Sequence, residues 1–476
     1  MVRYLTYLIS IAGYMILLGL VITVLRRKRE PVSALAWIIA IVFIPYLGAL
    51  AFLLFGNNHI ERPLAKKKKH RSDFRALCPL PGSVNLNSPS QKWEEWAALS
   101  KLMTRICDHP LVGGNVVRIF YDGHEAYKQM FLAIDSATKQ ICLQTYILQN
   151  DEVGRKFIDL LSAKAKKGVE VNLLYDAIGS RKLPSSILRR LTDAGGRVAT
   201  FLPVNILHRH FQINLRNHRK ILVVDGRIAF TGGLNIGQEY IGQNPKFGYW
   251  RDTHLSIIGP AVKDLLYVFS EDWHFATSEH LDTDYSFPPA KQDGHDVQII
   301  GGGPDQQLNG IREFYYSITS RAKERLWIST PYFIPDESMI DGLRMAALMD
   351  VDVRLLTQDH PPDQWLPYLA ARYYWEDMLK AGVRIWQYER GMFHAKVLIV
   401  DHILASVGSA NFDIRSLKLD FEVNTILYSK PLIRELEDQF LRDLSDSREV
   451  DMEKFLERSN WAQAAENACR LFSPLL

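Results

Sequence analysis

One pattern occurs twice in this chain and limits its fold more than any other feature. His218-Arg219-Lys220 leads through four apolar residues to Asp225, and Gly232-Gly233-Leu234-Asn235 follows. His394-Ala395-Lys396 leads through four apolar residues to Asp401, and Gly408-Ser409-Ala410-Asn411 follows at the same offset. A single H-x-K-x4-D arises by accident in roughly one chain of this composition in twenty. Two copies, each with its G-[GS]-x-N, do not. Flanking segments repeat in the same order: Ile141–Ile147 with Leu326–Phe333, Val169–Leu174 with Val351–Leu356, and Ala194–Val198 with Ala381–Ile385. The chain reads as an internal duplication with its break near Phe287–Asp296.

From about Val116 short apolar runs alternate with amphipathic stretches, the pattern of α/β architecture. In the first half the strands are expected at Val116–Phe120, Gln140–Tyr146, Val169–Leu174, Val198–Leu202, Lys220–Val224 and Ile228–Thr231. Helices are expected at His124–Ala137, Val153–Lys167 and Ser185–Ala194, and an earlier one at Lys92–Cys107. Within a strand His218 and Lys220 share a face, as do His394 and Lys396. Two-residue turns at Asp225-Gly226 and Asp401-His402 would set His218 opposite Gly233 and His394 opposite Ser409. Asn235 and Asn411 would lie just beyond.

Charge is unevenly placed. Residues 1–71 hold eleven Lys and Arg against Glu30 and Glu61, net +9, and the remainder of the chain is net −5. Affinity for nucleic acid rests on phosphate neutralisation by a basic surface, which a body of this balance lacks overall. The basic end is also the apolar end: Tyr4–Leu25 is uncharged and precedes Arg26-Arg27-Lys28-Arg29, and a second uncharged run covers Pro31–Phe55. Each exceeds the ~18 apolar residues needed to cross a bilayer core. The first is too long, and too poor in n-region charge, for a signal peptide. Pro45 and Gly48 would let the second run kink or re-enter. The distribution of basic residues favours a cytoplasmic body, and Lys66–Lys69 would lie near anionic headgroups. Domains are expected at 1–71 (an anchor of two apolar segments), 72–115 (linker and helix, the linker at Cys78–Ser90), 116–290 (first repeat) and 296–476 (second repeat).

The doubled site has the chemistry of a phosphodiester site. A lysine beside each histidine repels a metal cation, and no carboxylate cluster accompanies them. Two ammonium groups, two Asn amides and small-residue backbone corners suit a phosphodiester. A neutral imidazole can attack phosphorus, and a second, protonated one can donate to the leaving alkoxide. Each histidine needs a partner on its other ring nitrogen. Asp252 is the candidate after His218, and Glu422 the candidate after His394. Asp225 and Asp401 belong to the catalytic motif, but a carboxylate at a turn ordinarily fixes backbone. Aromatic residues from Trp365 to Trp375 fit a lipid entrance or a core equally well.

These motifs resemble the phospholipase D superfamily. With the anchor, Asn217–Lys220, Asn411–Ser416 and the terminal Ser473-Pro474-Leu475-Leu476, the chain resembles bacterial cardiolipin synthases over nearly its whole length. The resemblance implies two α/β/α sandwich repeats about a pseudo-twofold axis behind a two-segment transmembrane anchor in the bacterial inner membrane. It implies no metal or other cofactor, a phosphatidyl-histidine intermediate, and condensation of two phosphatidylglycerols into cardiolipin and glycerol. By that analogy Lys220, Lys396, Asn235 and Asn411, with the Gly233 and Ser409 corners, hold phosphate. His218 attacks, and His394 protonates the departing glycerol. The implied partners are phosphatidylglycerol and anionic membrane lipids, with no nucleic acid. The alternatives using the same two histidines are a phospholipid hydrolase, a phosphatidylserine synthase and a nuclease; a scaffold that has lost catalysis is the alternative from another class.

Overall fold

A computed structural model of the chain describes residues 2–27, 31–52, 61–78, 94–203, 214–281, 287–359 and 364–476. They divide into two compact units, the described residues up to 65 and those from 66 onward. Most of the Cys78–Ser90 linker expected from sequence, and part of the basic loop at 26–29, lie outside the described residues.

In the first unit the apolar runs form α1 (Val2–Arg27), α2 (Pro31–Phe43) and α3 (Pro45–Ala51). The second run is therefore not one continuous segment. Pro45 cannot donate to the preceding turn, so it ends one helix and starts the next. α2, with 13 residues, spans about 20 Å, short of the ~30 Å apolar core of a bilayer. α3 folds back on α2 at Gly48, where a Cβ would stand 2.1 Å from the Ala40 carbonyl oxygen. Val24, Ala34, Ile41 and Phe52 pack together inside. Among the described residues no helix is long and apolar enough to cross a membrane; the side chains of residues 2, 3, 5–12, 14 and 27, within α1, lie outside that set.

The second unit carries the duplication. α4 (Glu61–Leu77) and α5 (Glu94–Cys107) precede it, so the expected boundary at 71 falls inside a helix. Its first half has β1 (Val112–Phe120), β2 (Gln140–Thr145), β3 (Glu170–Asp176), β4 (Arg197–Phe201), β5 (Ile221–Val224), β6 (Ile228–Gly232), β7 (Tyr249–Arg251) and β8 (His254–Ile258). The helices of that half are α6 (Gly123–Ser136), α7 (Glu152–Lys166), α8 (Ser185–Asp193) and α9 (Val262–Thr277). The second half has β9 (His295–Gly302), β10 (Arg325–Ser329), β11 (Phe333–Ile334), β12 (Asp352–Gln358), β13 (Arg384–Tyr388) and β14 (Gly391–Phe393). It continues with β15 (Val397–Val400), β16 (Leu404–Gly408), β17 (Phe412–Asp413), β18 (Glu422–Tyr428) and β19 (Ser447–Glu449). Equivalent helices start on equivalent side-chain caps: Asp122 and Asp151 in the first half, Asn309 and Asp336 in the second, each accepting from backbone N–H groups of the first turn.

One sheet joins the halves. Outward from β1 the order is β8, β6, β5, β2, β3, β4, and outward from β9 it is β18, β16, β15, β10, β12, β13, with β19 added beside β13. Both readings place equivalent strands at equivalent positions, about a pseudo-twofold at the antiparallel β1–β9 pair. Each half buries its own core, around Phe157, Leu161 and Leu173 in the first and Phe314, Leu355 and Trp375 in the second.

Two expectations change here. Lys67 does not face headgroups with Lys66, Lys68 and Lys69; it is buried, 2.8 Å from Asp272 and 3.3 Å from Glu271 of α9. An amphipathic helix presents every third or fourth residue to its support, and Lys67 falls on that face of α4. The Trp365–Trp375 stretch divides in the same way, with Trp375 1% and Trp365 65% exposed.

Candidate active site

The motif hairpins are out of the expected register by one residue. Val224 pairs with Ile228 and Ile221 with Thr231, while Val400 pairs with Leu404 and Val397 with Val407. The turns are centred as expected, with Asp225, Gly226, Asp401 and His402 all at positive φ. One further residue, Arg227 or Ile403, enters each loop: its N–H donates to Val224 O (2.9 Å) or Val400 O (3.0 Å) before the ladder resumes. His218 therefore does not face Gly233, and His394 does not face Ser409.

Each histidine is held instead by the other half of the duplication. The His218 N–H donates to Phe421 O (2.9 Å), and the His394 N–H donates to Arg251 O (2.7 Å). Asn217 bridges Phe421 in parallel, and β14 runs parallel to β7. The residue after each carbonyl acceptor is a carboxylate. Glu422 Oε1 and Oε2 lie 2.9 and 3.1 Å from His218 Nδ1, and Asp252 Oδ2 lies 2.7 Å from His394 Nδ1. Asp252 and Glu422 are thus brought to the histidines, but crosswise: each serves the imidazole of the opposite half. Spacing along the chain cannot report this, because the pairing arises where one half packs on the other.

Burial alone would raise both carboxyls. The His394 and Lys396 charges nevertheless hold Asp252 below its ordinary value, and His218 and Lys220 do the same for Glu422. An ionised carboxylate only accepts, so Nδ1 of each ring carries the proton and Nε2 is left for substrate. Burial lowers His218, with Glu422 opposing. Burial and the Lys396 ammonium, 3.1 Å from Nδ1, lower His394 to about 4. The lysines mirror one another: Lys220 Nζ donates to His218 O and Lys396 Nζ to His394 O, both at 2.6 Å. Burial lowers them to about 7 and about 8.

Gly233 and Ser409 act on the carboxylates rather than forming a phosphate cradle. Their N–H groups donate to Thr253 O and Val423 O, 3.0 Å each, within the sheet. A Cβ on Gly233 would lie 2.0 Å from Asp252 Oδ1, so glycine there gives that carboxylate its place. Ser409 Oγ donates to Glu422 Oε2, and Ser409 O stands 3.1 Å from His218 Nδ1. Asp225 and Asp401, counted with the catalytic motif, sit at the turns. Asp225 accepts from the N–H groups of Thr138, Lys139 and Gln140 and from Thr138 Oγ1, all at 2.8–2.9 Å. Asp401 accepts from the N–H groups of Lys323, Glu324 and Arg325. Both fix the start of the neighbouring strand, and neither lines the cavity described next.

His218, His394, Asn235 and Asn411 line one cavity of about 610 Å³. Asn235 is already engaged there, its Nδ2 donating to Tyr240 Oη (3.0 Å) and its Oδ1 accepting from the Ile147 N–H (3.2 Å). Asn411 Oδ1 is buried and has no hydrogen-bond partner among the described residues. Tyr146 and Trp250, not singled out from sequence, pack against His218 and His394 at ring-centroid distances of 5.0 and 5.3 Å. Tyr146 and Tyr332 line the cavity from the two halves, and the repeated Thr145-Tyr146 and Thr330-Pro331-Tyr332 were the signal that could have found them. Arg219, between the motif His and Lys, reaches Asp272 at 2.8 Å and so joins the network that holds Lys67.

Comparison with known proteins shows the family. The family described as "Cardiolipin synthase, PLD-like domain" matches residues 130–273 and 316–444, one segment in each half. "Phospholipase_D-nuclease N-terminal" matches residues 15–57. A cardiolipin synthase of Geobacillus kaustophilus is 40% identical over 97% of this chain and 92% of its own length. The major cardiolipin synthase of Bacillus subtilis is 36% identical over 98% of this chain and 99% of its own. The solved phosphatidylserine synthase of Haemophilus influenzae shares the fold, with a TM-score of 0.58 at 16% identity over 79% of this chain and all of that one. With a doubled motif, a site shared between two halves and full-length relatives of this similarity, the chain belongs to the cardiolipin synthase family of phospholipase D-like proteins.

Proposed function

We propose that this protein is a membrane-attached phosphatidyltransferase that condenses two phosphatidylglycerols into cardiolipin and glycerol. The observation that carries the reading is the pair of imidazoles lining one cavity, each with Nδ1 held by a carboxylate of the opposite half. Nε2 of His218 attacks the phosphorus of the first lipid, and the P–O bond to glycerol breaks as His394 Nε2 gives that oxygen its proton. The hydroxyl of the second phosphatidylglycerol then loses its proton to His394 and attacks phosphorus, and the P–N bond breaks. Over the whole cycle one phosphodiester replaces another, so the exchange is near-isoenergetic and needs no nucleotide. Lys220 and Lys396 stabilise the charge that develops on the phosphoryl oxygens. The diester anion raises the pKa of His394 from its free-state value of about 4, so the acid form arises with substrate in place.

Attachment to the membrane is supported by α1, whose 26 residues extend about 39 Å, more than the ~30 Å apolar core of a bilayer, and by its uncharged run from Tyr4 to Leu25. The second apolar run, divided at Pro45, suits a re-entrant path.

The test is purified full-length protein with phosphatidylglycerol vesicles, without added metal or nucleotide, assayed for cardiolipin and glycerol in equal amounts. Phosphatidic acid and glycerol without cardiolipin would instead identify a hydrolase. Unchanged cardiolipin formation by His218→Ala would end the two-histidine reading.

A further inference from the structure

The two halves supply the centre of the cavity symmetrically, but its rim is one-sided. Arg181, Lys182 and Lys246 line it from the first half, all exposed and without a salt-bridge partner among the described residues. Tyr332, Gln364 and Met392 line it from the second half, and none of them carries charge. Glu239 is the one acidic residue among the described lining. The reaction proposed above needs two anions in this cavity. The first phosphodiester is consumed at the histidines. The acceptor lipid attacks through its glycerol hydroxyl and brings a second phosphodiester that stays intact, the length of one glycerol away from the reacting phosphorus. Lys220 and Lys396 are buried beside the histidines, each donating to the motif His carbonyl oxygen at 2.6 Å, and are assigned above to the first phosphate; among the described lining, Arg181, Lys182 and Lys246 are the cations left to meet the second.

We propose that Arg181, Lys182 and Lys246 form a subsite for the intact phosphodiester of the acceptor phosphatidylglycerol. The inference rests on the phosphatidyltransferase reading and names the acceptor site of that same cavity. Unpaired cations beside a cavity attract and orient an anionic acceptor, and a neutral alcohol makes no use of them. A site organised in this way selects an anionic lipid over glycerol or water as the group that resolves the intermediate, and it fixes which side of the pseudo-twofold the second lipid occupies.

Two reactions of the full-length protein on the same phosphatidylglycerol vesicles separate this role from general attraction to the membrane. One is exchange of labelled glycerol into phosphatidylglycerol, in which the acceptor is neutral. The other is cardiolipin formation, in which it is anionic. For the triple variant Arg181→Gln, Lys182→Gln, Lys246→Gln the ratio of cardiolipin formation to glycerol exchange should fall about tenfold, the scale expected when several exposed cations facing a phosphate are removed. The loss should appear chiefly as a higher KM for the acceptor, and Lys246→Arg should keep the wild-type ratio. An unchanged ratio, whether both reactions fall together or neither falls, overturns the subsite. Wild-type protein that makes no cardiolipin at all overturns the function itself, an outcome visible before any variant is made.

Discussion

The crossed pairing of carboxylates and histidines makes a prediction that in-half pairing reverses. Glu422→Gln and Asp252→Asn keep side-chain shape at two fully buried positions while removing the charge that holds an imidazole. At His394, Asp252 is the carboxylate on Nδ1, and an amide there can reverse the tautomer. Tautomer reversal with loss of the buried charge is worth about a thousandfold in rate, about 4 kcal/mol. At His218 the Ser409 carbonyl, 3.1 Å from Nδ1, still accepts after the change, so the ring keeps its tautomer and loses only the charge. That loss should be nearer a hundredfold. The two variants then differ on a lipid whose leaving group needs no proton. Phosphatidyl-p-nitrophenol, read as a single-turnover burst of nitrophenolate, reports attack by the nucleophile without help from the acid. Asp252→Asn, which impairs the acid, should recover to within about tenfold of wild type on this substrate. Glu422→Gln, which impairs the nucleophile, should stay low on both substrates. The reverse pattern, with Glu422→Gln recovered and Asp252→Asn not, would refute the crossed relay with His218 as nucleophile, as would equal behaviour of the two variants.

Three further outcomes follow from the same geometry. Gly233→Ala places a methyl 2.0 Å from the Asp252 carboxylate, so phosphatidylglycerol turnover should fall at least a hundredfold with about 1–3 kcal/mol lost from stability, read by activity and thermal unfolding side by side. Asp225→Ala strips the acceptor from three backbone N–H groups far from the cavity; about 2–4 kcal/mol of stability should go while kcat of the folded fraction holds, checked by denaturant titration and low-temperature kinetics. For pH, His218 must be neutral to attack, and its pKa is lowered below 6.5, so kcat/KM should fall only when pH drops through that lowered value. His394, about 4 in the free protein, must take up a proton for the acid step, so kcat/KM already declines with rising pH above that value, and the decline should steepen between about 7 and about 8, where Lys220 and Lys396 lose the charge that holds the diester. An alkaline limb near the ordinary lysine value of 10.5 would contradict their burial.

Much of the fold was legible because it follows local periodicity. The strands from Gln140 to Thr231, the helices between them and the repeat order emerge within a few residues of their expected bounds. β1 starts four residues early, at Val112, because its first residues pair with β9, a partner that local pattern does not reveal. The site was legible as a set of residue types and not as a set of contacts. Asp252 and Glu422 could be named from their positions after each motif, but their crossing depends on Arg251 and Phe421 lying beside the opposite histidine. The hairpin register slipped because nothing in Asp-Gly or Asp-His distinguishes a two-residue loop from one that absorbs Arg227 or Ile403. Lys67 reads as one of four equivalent lysines until Glu271 and Asp272 are placed opposite it.

In the proposed reaction either imidazole could be the one that bonds phosphorus, and the residual asymmetry of the site favours His218. When phosphorus bonds to Nε2 the ring takes on positive charge, and its Nδ1–H becomes a stronger donor. His218 meets this change with three acceptor atoms around Nδ1, both Glu422 oxygens and the Ser409 carbonyl, and Glu422 is itself fixed by Ser409 Oγ. His394 has the Asp252 oxygen on one side and the Lys396 ammonium at 3.1 Å on the other, which opposes a cationic ring. A ring that sheds its proton readily suits transfer to a leaving alkoxide, whereas a ring whose cation is stabilised suits a covalent phosphoryl adduct. The intermediate is therefore expected on His218. Rapid quenching of enzyme with lipid labelled in its phosphatidyl group, followed by peptide mapping, should place the label there, and Ser409→Ala should reduce the trapped fraction. Label recovered on His394 would reverse the two roles and show that the acceptors around Nδ1 do not decide between them.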